Sequence, residues 1–135
     1  LAQLTRGVIE EAAARGNAVI MGRGGAYIVP RGPDVLHAQL HAPLDARIRY
    51  LLARVEEIPE DTRPDEGSLR ELCRNMDARR SSYIRRLFDR DWLDAEAYDL
   101  SIDTGSMGLT ATVDLIELAV RRHDPAGFRP TTGGT

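Results

Sequence analysis

The side chains best equipped for chemistry in this sequence are its arginines. All 18 basic residues are arginine, and no lysine occurs. A guanidinium is planar, always charged and able to donate two parallel hydrogen bonds, so this composition favours clamping phosphates or carboxylates. Lysine-base and Schiff-base chemistry have no residue to run on, and neither has a phosphate loop of the G-x-x-x-x-G-K-[ST] kind. A GC-rich coding sequence raises arginine content as well, so spacing must decide which guanidiniums matter.

Two groups stand out. Gly22-Arg23-Gly24-Gly25 follows the apolar run Ala18–Met21, where small residues let a ligand approach the backbone and Arg23 can hold an anion. A tight turn carrying a solvated arginine reads the same string equally well. The second group is Arg47, Arg54, Arg74, Arg79, Arg80, Arg85 and Arg86. Most of these belong on solvated helix faces, with Glu71, Asp77, Asp89 and Asp91 near enough to pair. Arg80 differs, because its spacing sets it between Met76 and Tyr83 on an apolar stripe. There an inward guanidinium needs a carboxylate or phosphate beside it. Asp77 on the same face is the structural partner that competes with a ligand for that role.

Other chemistries find little footing. His37 and His41 share one face of a strand but lack a third ligand at metal-binding spacing, so no metal is expected. No Ser-His-Asp or Cys-His set is recognisable, and the single Cys73 excludes an internal disulfide.

The elements that must position these residues follow from periodicity. Apolar and small residues from Leu4 through Ala13 predict a first helix stopped by Gly16-Asn17. Ala18–Met21 predicts a buried strand, and Val35–His41 a second. Pro43 opens a helix with the stripe Leu44, Ile48, Leu51, Leu52 and Val55. Glu56–Ser68, with six acidic residues, predicts a solvated loop and candidate lid. A long helix follows over Leu69–Phe88, then a third strand over Tyr98–Ile102 and a closing helix over Leu109–Arg122. From His123 the glycines, prolines and threonines predict a disordered tail.

Alternating strands and helices imply an α/β domain with a parallel sheet. At 135 residues, 42% hydrophobic and 29% charged, the chain suits one domain with one core. A net charge of −3 argues against a general nucleic-acid binder. No segment reads as a membrane span or signal peptide, and a lone cysteine suits a reducing cytoplasm. Leu1 already lies within a helical pattern, so the chain is expected to be cut from something longer.

The ordered blocks GNAVIMGRGGAYIV, VLHAQLHAPLDARIRYLLAR, MDARRSSYIRRLFDRDW and YDLSIDTGSMGLTATVDLI resemble the cytidylate-kinase-like family of P-loop nucleoside-monophosphate kinases, over Ile9–Val120. The resemblance implies a three-layer parallel sheet of the P-loop NTPase kind in a domain over residues 1–122, with a lid around 54–90. It also implies phosphoryl transfer from ATP with Mg²⁺ to a nucleoside monophosphate such as CMP or dCMP. Gly22, Arg23 and Gly24 are similar to the family's G-R-D turn, which contacts the monophosphate, although Gly24 replaces the aspartate. Arg47 and Arg54 resemble the arginines leading into the lid, with Arg54 reaching the transferring phosphate. Asp77 and Arg80 fall loosely on the lid-side R-D-x-x-D-x-x-R pattern, and Gly105-Ser106 on the turn against adenine. By this resemblance Arg54 and Arg80 are the catalytic candidates. The family's first strand and its S-R-x-x-G-S-G-G phosphate loop are expected to precede Leu1, so no kinase activity is expected of the chain alone. A nucleotide-binding or regulatory module without that loop is the competing expectation.

Overall fold

The computed structural model describes residues 2–123, so the predicted tail beyond His123 lies outside the described residues. The chain runs α1 (Ala2–Arg15), a short α2 (Gly25–Ile28), β1 (Ala38–His41), α3 (Leu44–Val55), α4 (Glu66–Phe88), a 3-10 turn (Ala95–Ala97), β2 (Leu100–Asp103) and α5 (Thr104–Arg122). Strands β1 and β2 pair in parallel, from Ala38 opposite Leu100 to His41 opposite Asp103. Parallel neighbours need a long crossover, and α3 with α4 provides it.

This is an α/β arrangement with a two-stranded sheet, and the expected three layers are not formed among the described residues. The strand expected at Ala18–Met21 is absent, and Val19 and Met21 are 93% and 87% exposed. A strand exists only by pairing, since its backbone groups are satisfied by a neighbour and not by itself. No neighbouring strand pairs with this run. The stop after α1 does form, with Gly16 and Asn17 at φ 72° and 50°.

The core lies between α3 and α4. Ile48, Leu69 and Cys73 are buried there, with Leu44, Leu51 and Leu52 packed around them. The α3 stripe is therefore the predicted one. On α4 the buried stripe is narrower than expected, although its buried members all belong to the predicted one. Leu69, Cys73 and Ile84 are buried, whereas Leu72 and Met76 are substantially exposed. Arg80 is not turned inward, because its side chain is 50% exposed, and Asp77 is the more enclosed of the two at 27%. The helical period carries Leu69, Cys73 and Asp77 down one face at i, i+4 and i+8, and a carboxylate is tolerated there because a cation from α3 meets it.

Helix ends are set by side chains that spacing alone had not weighed. Asp65 accepts the Ser68 N–H at 2.7 Å and starts α4 at Glu66, one turn before the predicted start. Its carboxyl is held below the usual range chiefly by hydrogen bonding to the Ser68 backbone N–H. Within the loop, Arg63 donates to the carbonyls of Glu56 and Ile58 and covers the end of α3. Helix α5 starts at Thr104, because Asp103 accepts the N–H groups of Gly105 and Ser106, and it kinks at Gly108, where φ is 77°.

Candidate functional site

The site grows from Asp77. Arg47 of α3 donates from both terminal nitrogens to its two oxygens, at 2.9 and 2.7 Å. Arg80, one turn along α4, adds a third bond at 3.2 Å. Two guanidiniums thus share one carboxylate, and the cluster keeps a net positive charge. Hydrogen bonding to Asp77 raises the Arg47 pKa further, so this cation is permanent. Its Nε is buried and has no acceptor. With side-chain exposures of 30% for Arg47, 27% for Asp77 and 50% for Arg80, the cluster sits at a solvent boundary and can receive an anion.

Trp92 closes one side. The Arg80 guanidinium lies over its indole, 5.8 Å from the ring centroid. The loop that carries Trp92 is tied down at consecutive carbonyls. Tyr27 of α2 donates to the Asp91 carbonyl at 2.9 Å. Gln39 of β1 donates to the Trp92 carbonyl at 2.9 Å, and Tyr98 reaches the same oxygen at 3.5 Å. Tyr27 also stacks on Phe88 at 5.3 Å, and burial, followed by the neighbouring Tyr98, pushes its phenol up to about 12. The Asp91 carboxylate accepts the Leu93 N–H at 3.0 Å, which makes it a turn cap.

The other predicted residues lie apart from this cluster. Gly22, Arg23 and Gly24 all take the left-handed conformation, at φ 70°, 56° and 76°. A Cβ on Gly24 would sit 2.4 Å from the Phe88 ring, so glycine here lets the turn pack on the end of α4. The Arg23 guanidinium has no partner among the described residues, while its carbonyl meets the Tyr83 hydroxyl at 3.5 Å. Arg54 donates to Tyr50 at 3.1 Å and stacks over that ring, so its contacts stay on α3. The Gly105 and Ser106 amides are taken by Asp103, and a Cβ on Gly105 would lie 2.7 Å from that of Ala46, so α5 starts close against α3. The buried His37 has Nε2 3.0 Å from the Val29 carbonyl, and the His41 carbonyl accepts from Thr104.

Among the described residues, no three His, Cys, Asp or Glu side chains gather as a metal site. A kinase Mg²⁺ is held by one or two carboxylates together with substrate phosphates, so such a metal would come with the nucleotide. No G-x-x-x-x-G-K-[ST] loop stands among the described residues to hold a triphosphate. A surface groove of about 630 Å³ runs along the outer face of α4 past Asn75, Arg79, Ser82 and Arg86, and includes neither Arg47 nor Arg80. No described helix is long and apolar enough to cross a membrane.

Sequence reasoning missed Gln39 and Tyr27. A signal for Gln39 existed, since Gln39 and Ser101 are polar residues in apolar strands and stand opposite each other in register.

Comparison with known proteins bears on these positions. The family model described as the cytidylate kinase-like family matches residues 1–106. A protein named uronate isomerase, from Corynebacterium glutamicum, is 30% identical over 132 residues, covering 98% of this chain and 24% of that protein. The chain thus spans about a quarter of that relative's length. No solved structure matches. The family match runs from α1 into the first turn of α5 and takes in Arg47, Asp77, Arg80 and Trp92. By that match the chain belongs to the cytidylate kinase-like family.

Proposed function

We propose that this chain forms the acceptor side of a nucleotide kinase and binds a pyrimidine nucleoside monophosphate, CMP or dCMP, with its phosphate on Arg47 and Arg80. The observation that carries this reading is the pair of guanidiniums held on one carboxylate at the solvent boundary. A phosphate brought there would meet the remaining positive charge and give the half-exposed Arg80 a second acceptor. Arg23 and Arg54 supply further cations in this reading, Arg23 toward the nucleotide and Arg54 toward the transferring group. Gly22 and Gly24 let the backbone approach the nucleotide, and Gly105-Ser106 lies toward the adenine side.

In this reading the chain is the larger part of a three-layer P-loop domain, which when complete would bind ATP and Mg²⁺ as the source of the phosphoryl group. Catalysis of that kind is positioning and charge neutralisation, and the part performed by these residues is to hold the acceptor phosphate still. No G-x-x-x-x-G-K-[ST] loop stands among the described residues to hold a triphosphate, so the isolated chain is expected to bind CMP without phosphorylating it. A cytoplasmic setting and the absence of nucleic-acid or membrane partners belong to the same reading, supported by the acidic net charge and the single buried Cys73.

A second reading, a nucleotide-binding or regulatory module within a larger protein, draws support from the much longer relative. Its printed name raises a uronate as an alternative anion, because an arginine pair accepts a carboxylate as readily as a phosphate. Calorimetric titration separates these readings. Wild-type chain should bind CMP in preference to a uronate, and Arg80→Ala should weaken CMP binding about tenfold. Arg47→Lys, which keeps the charge but loses the fork, should weaken it as well. Unchanged CMP affinity in a folded Arg80→Ala protein would remove the arginine pair from the site, and preference for the uronate would replace the nucleotide.

A further inference from the structure

We infer that Gln39 is a positioning residue for the arginine pair: by holding the Trp92 carbonyl it keeps the indole beneath Arg80 and so fixes where that charge meets an anion. This rests on the reading that Arg80 receives the phosphate. Gln39 itself is 8% exposed and belongs to the strand, so it can act on a bound anion only through what it holds.

The chain of contacts is continuous. The Ser101 hydroxyl of β2 donates to Gln39 Oε1 at 2.9 Å, which fixes the orientation of the amide. Its Nε2 then faces the Trp92 carbonyl and donates at 2.9 Å, while the Tyr98 hydroxyl is more distant at 3.5 Å. Trp92 lies between α4 and the 3-10 turn, in a segment without a ladder or helix to hold its backbone. Its ring is the surface on which Arg80 lies. Arg80 is long, half-exposed and tied to Asp77 by a single 3.2 Å bond, so the indole is its second constraint. Removing the Gln39 donor leaves the Trp92 carbonyl only the more distant Tyr98 hydroxyl, so the indole shifts and Arg80 loses the face that limits its rotamers.

Trp92 is the sole tryptophan, so its fluorescence reports on this contact without a label. The test measures emission and CMP affinity for the full chain as wild type, Gln39→Leu, Arg80→Ala and the double variant. Each single change should move the Trp92 emission, and the double should move it no further than the larger single. Gln39→Leu should weaken CMP binding about fivefold when Arg80 is present and leave it unchanged in the Arg80→Ala background. Should Gln39→Leu fail to fold, Ser101→Ala, which removes only the group orienting the amide, should give a smaller effect of the same pattern. Additive emission changes, or an equal affinity loss in both backgrounds, would overturn the positioning role. A wild type that binds no CMP but shows non-additive emission would sink the nucleotide reading and still tie Gln39 to Arg80.

Discussion

The α3–α4 pair and the N-terminal arm carry comparable apolar patterns and end in opposite states. Between α3 and α4, Ile48 is 2% exposed and Leu69 4%, and a bidentate Arg47–Asp77 bond joins the two helices. In the arm, α1 buries Ile9 alone, while Leu4, Val8, Val19 and Met21 remain largely exposed. Apolar residues make a core only where a second element faces them. A helix carries its own hydrogen bonds and can wait for a partner, whereas a strand such as Ala18–Met21 cannot form without one.

The largest effect that can break this comparison is at Ile48. Ile48→Ala should cost about 3 kcal/mol in urea unfolding, because it leaves a cavity between two packed helices. Val19→Ser, on the exposed run, should change stability by less than about 0.5 kcal/mol. Similar losses at both positions would show that the arm is packed in solution as tightly as the helix pair.

A smaller effect sharpens the link between the two regions. Tyr27 of α2 stacks on Phe88 of α4 and donates to the Asp91 carbonyl, so it fastens the short helix after the arm to the end of α4. Its folded pKa, raised from 10.0 to about 12, means that the folded state holds the phenolic proton more tightly than the unfolded state does. The stabilisation is therefore complete below pH 10 and lost as pH rises from 10 toward about 12. Thermal melts should show wild type more stable than Tyr27→Phe near neutral pH, with the gap closing in that alkaline window. A constant gap across the window would mean that the phenol is not buried beside Tyr98 in solution.

How much of this was legible in the sequence follows from the range of each interaction. The α3 stripe was readable because helical periodicity is local, and so was the α/β class. On α4 the buried Leu69, Cys73 and Ile84 were readable too, but the breadth of the stripe was not. Apolar Met76 and Tyr83 widened the predicted stripe toward Arg80, whereas the column facing α3 runs through buried Leu69 and Cys73 to the partly exposed Asp77. What allows a carboxylate in that column is Arg47, thirty positions earlier, which spacing along one helix does not reveal. The arginine set was readable as a group of candidate anion ligands, but which guanidiniums converge was not. Arg47 and Arg80 meet on Asp77, while Arg54 turns to Tyr50 and Arg23 stands alone among the described residues. The role of Trp92 depends on Gln39, Tyr98 and Arg80, each from a different element.

The central claim is that the Arg47–Arg80 pair receives the phosphate of a nucleoside monophosphate. Heteronuclear NMR of the arginine Nε–H groups during a CMP titration tests it most directly, because the Arg47 Nε–H is buried without an acceptor and should give a distinct signal. The account predicts that the Arg47 and Arg80 signals and the Trp92 indole N–H shift together along one binding curve. Shifts confined to Arg79 and Arg86 on the outer face of α4, with Arg47 and Arg80 unmoved, would contradict it.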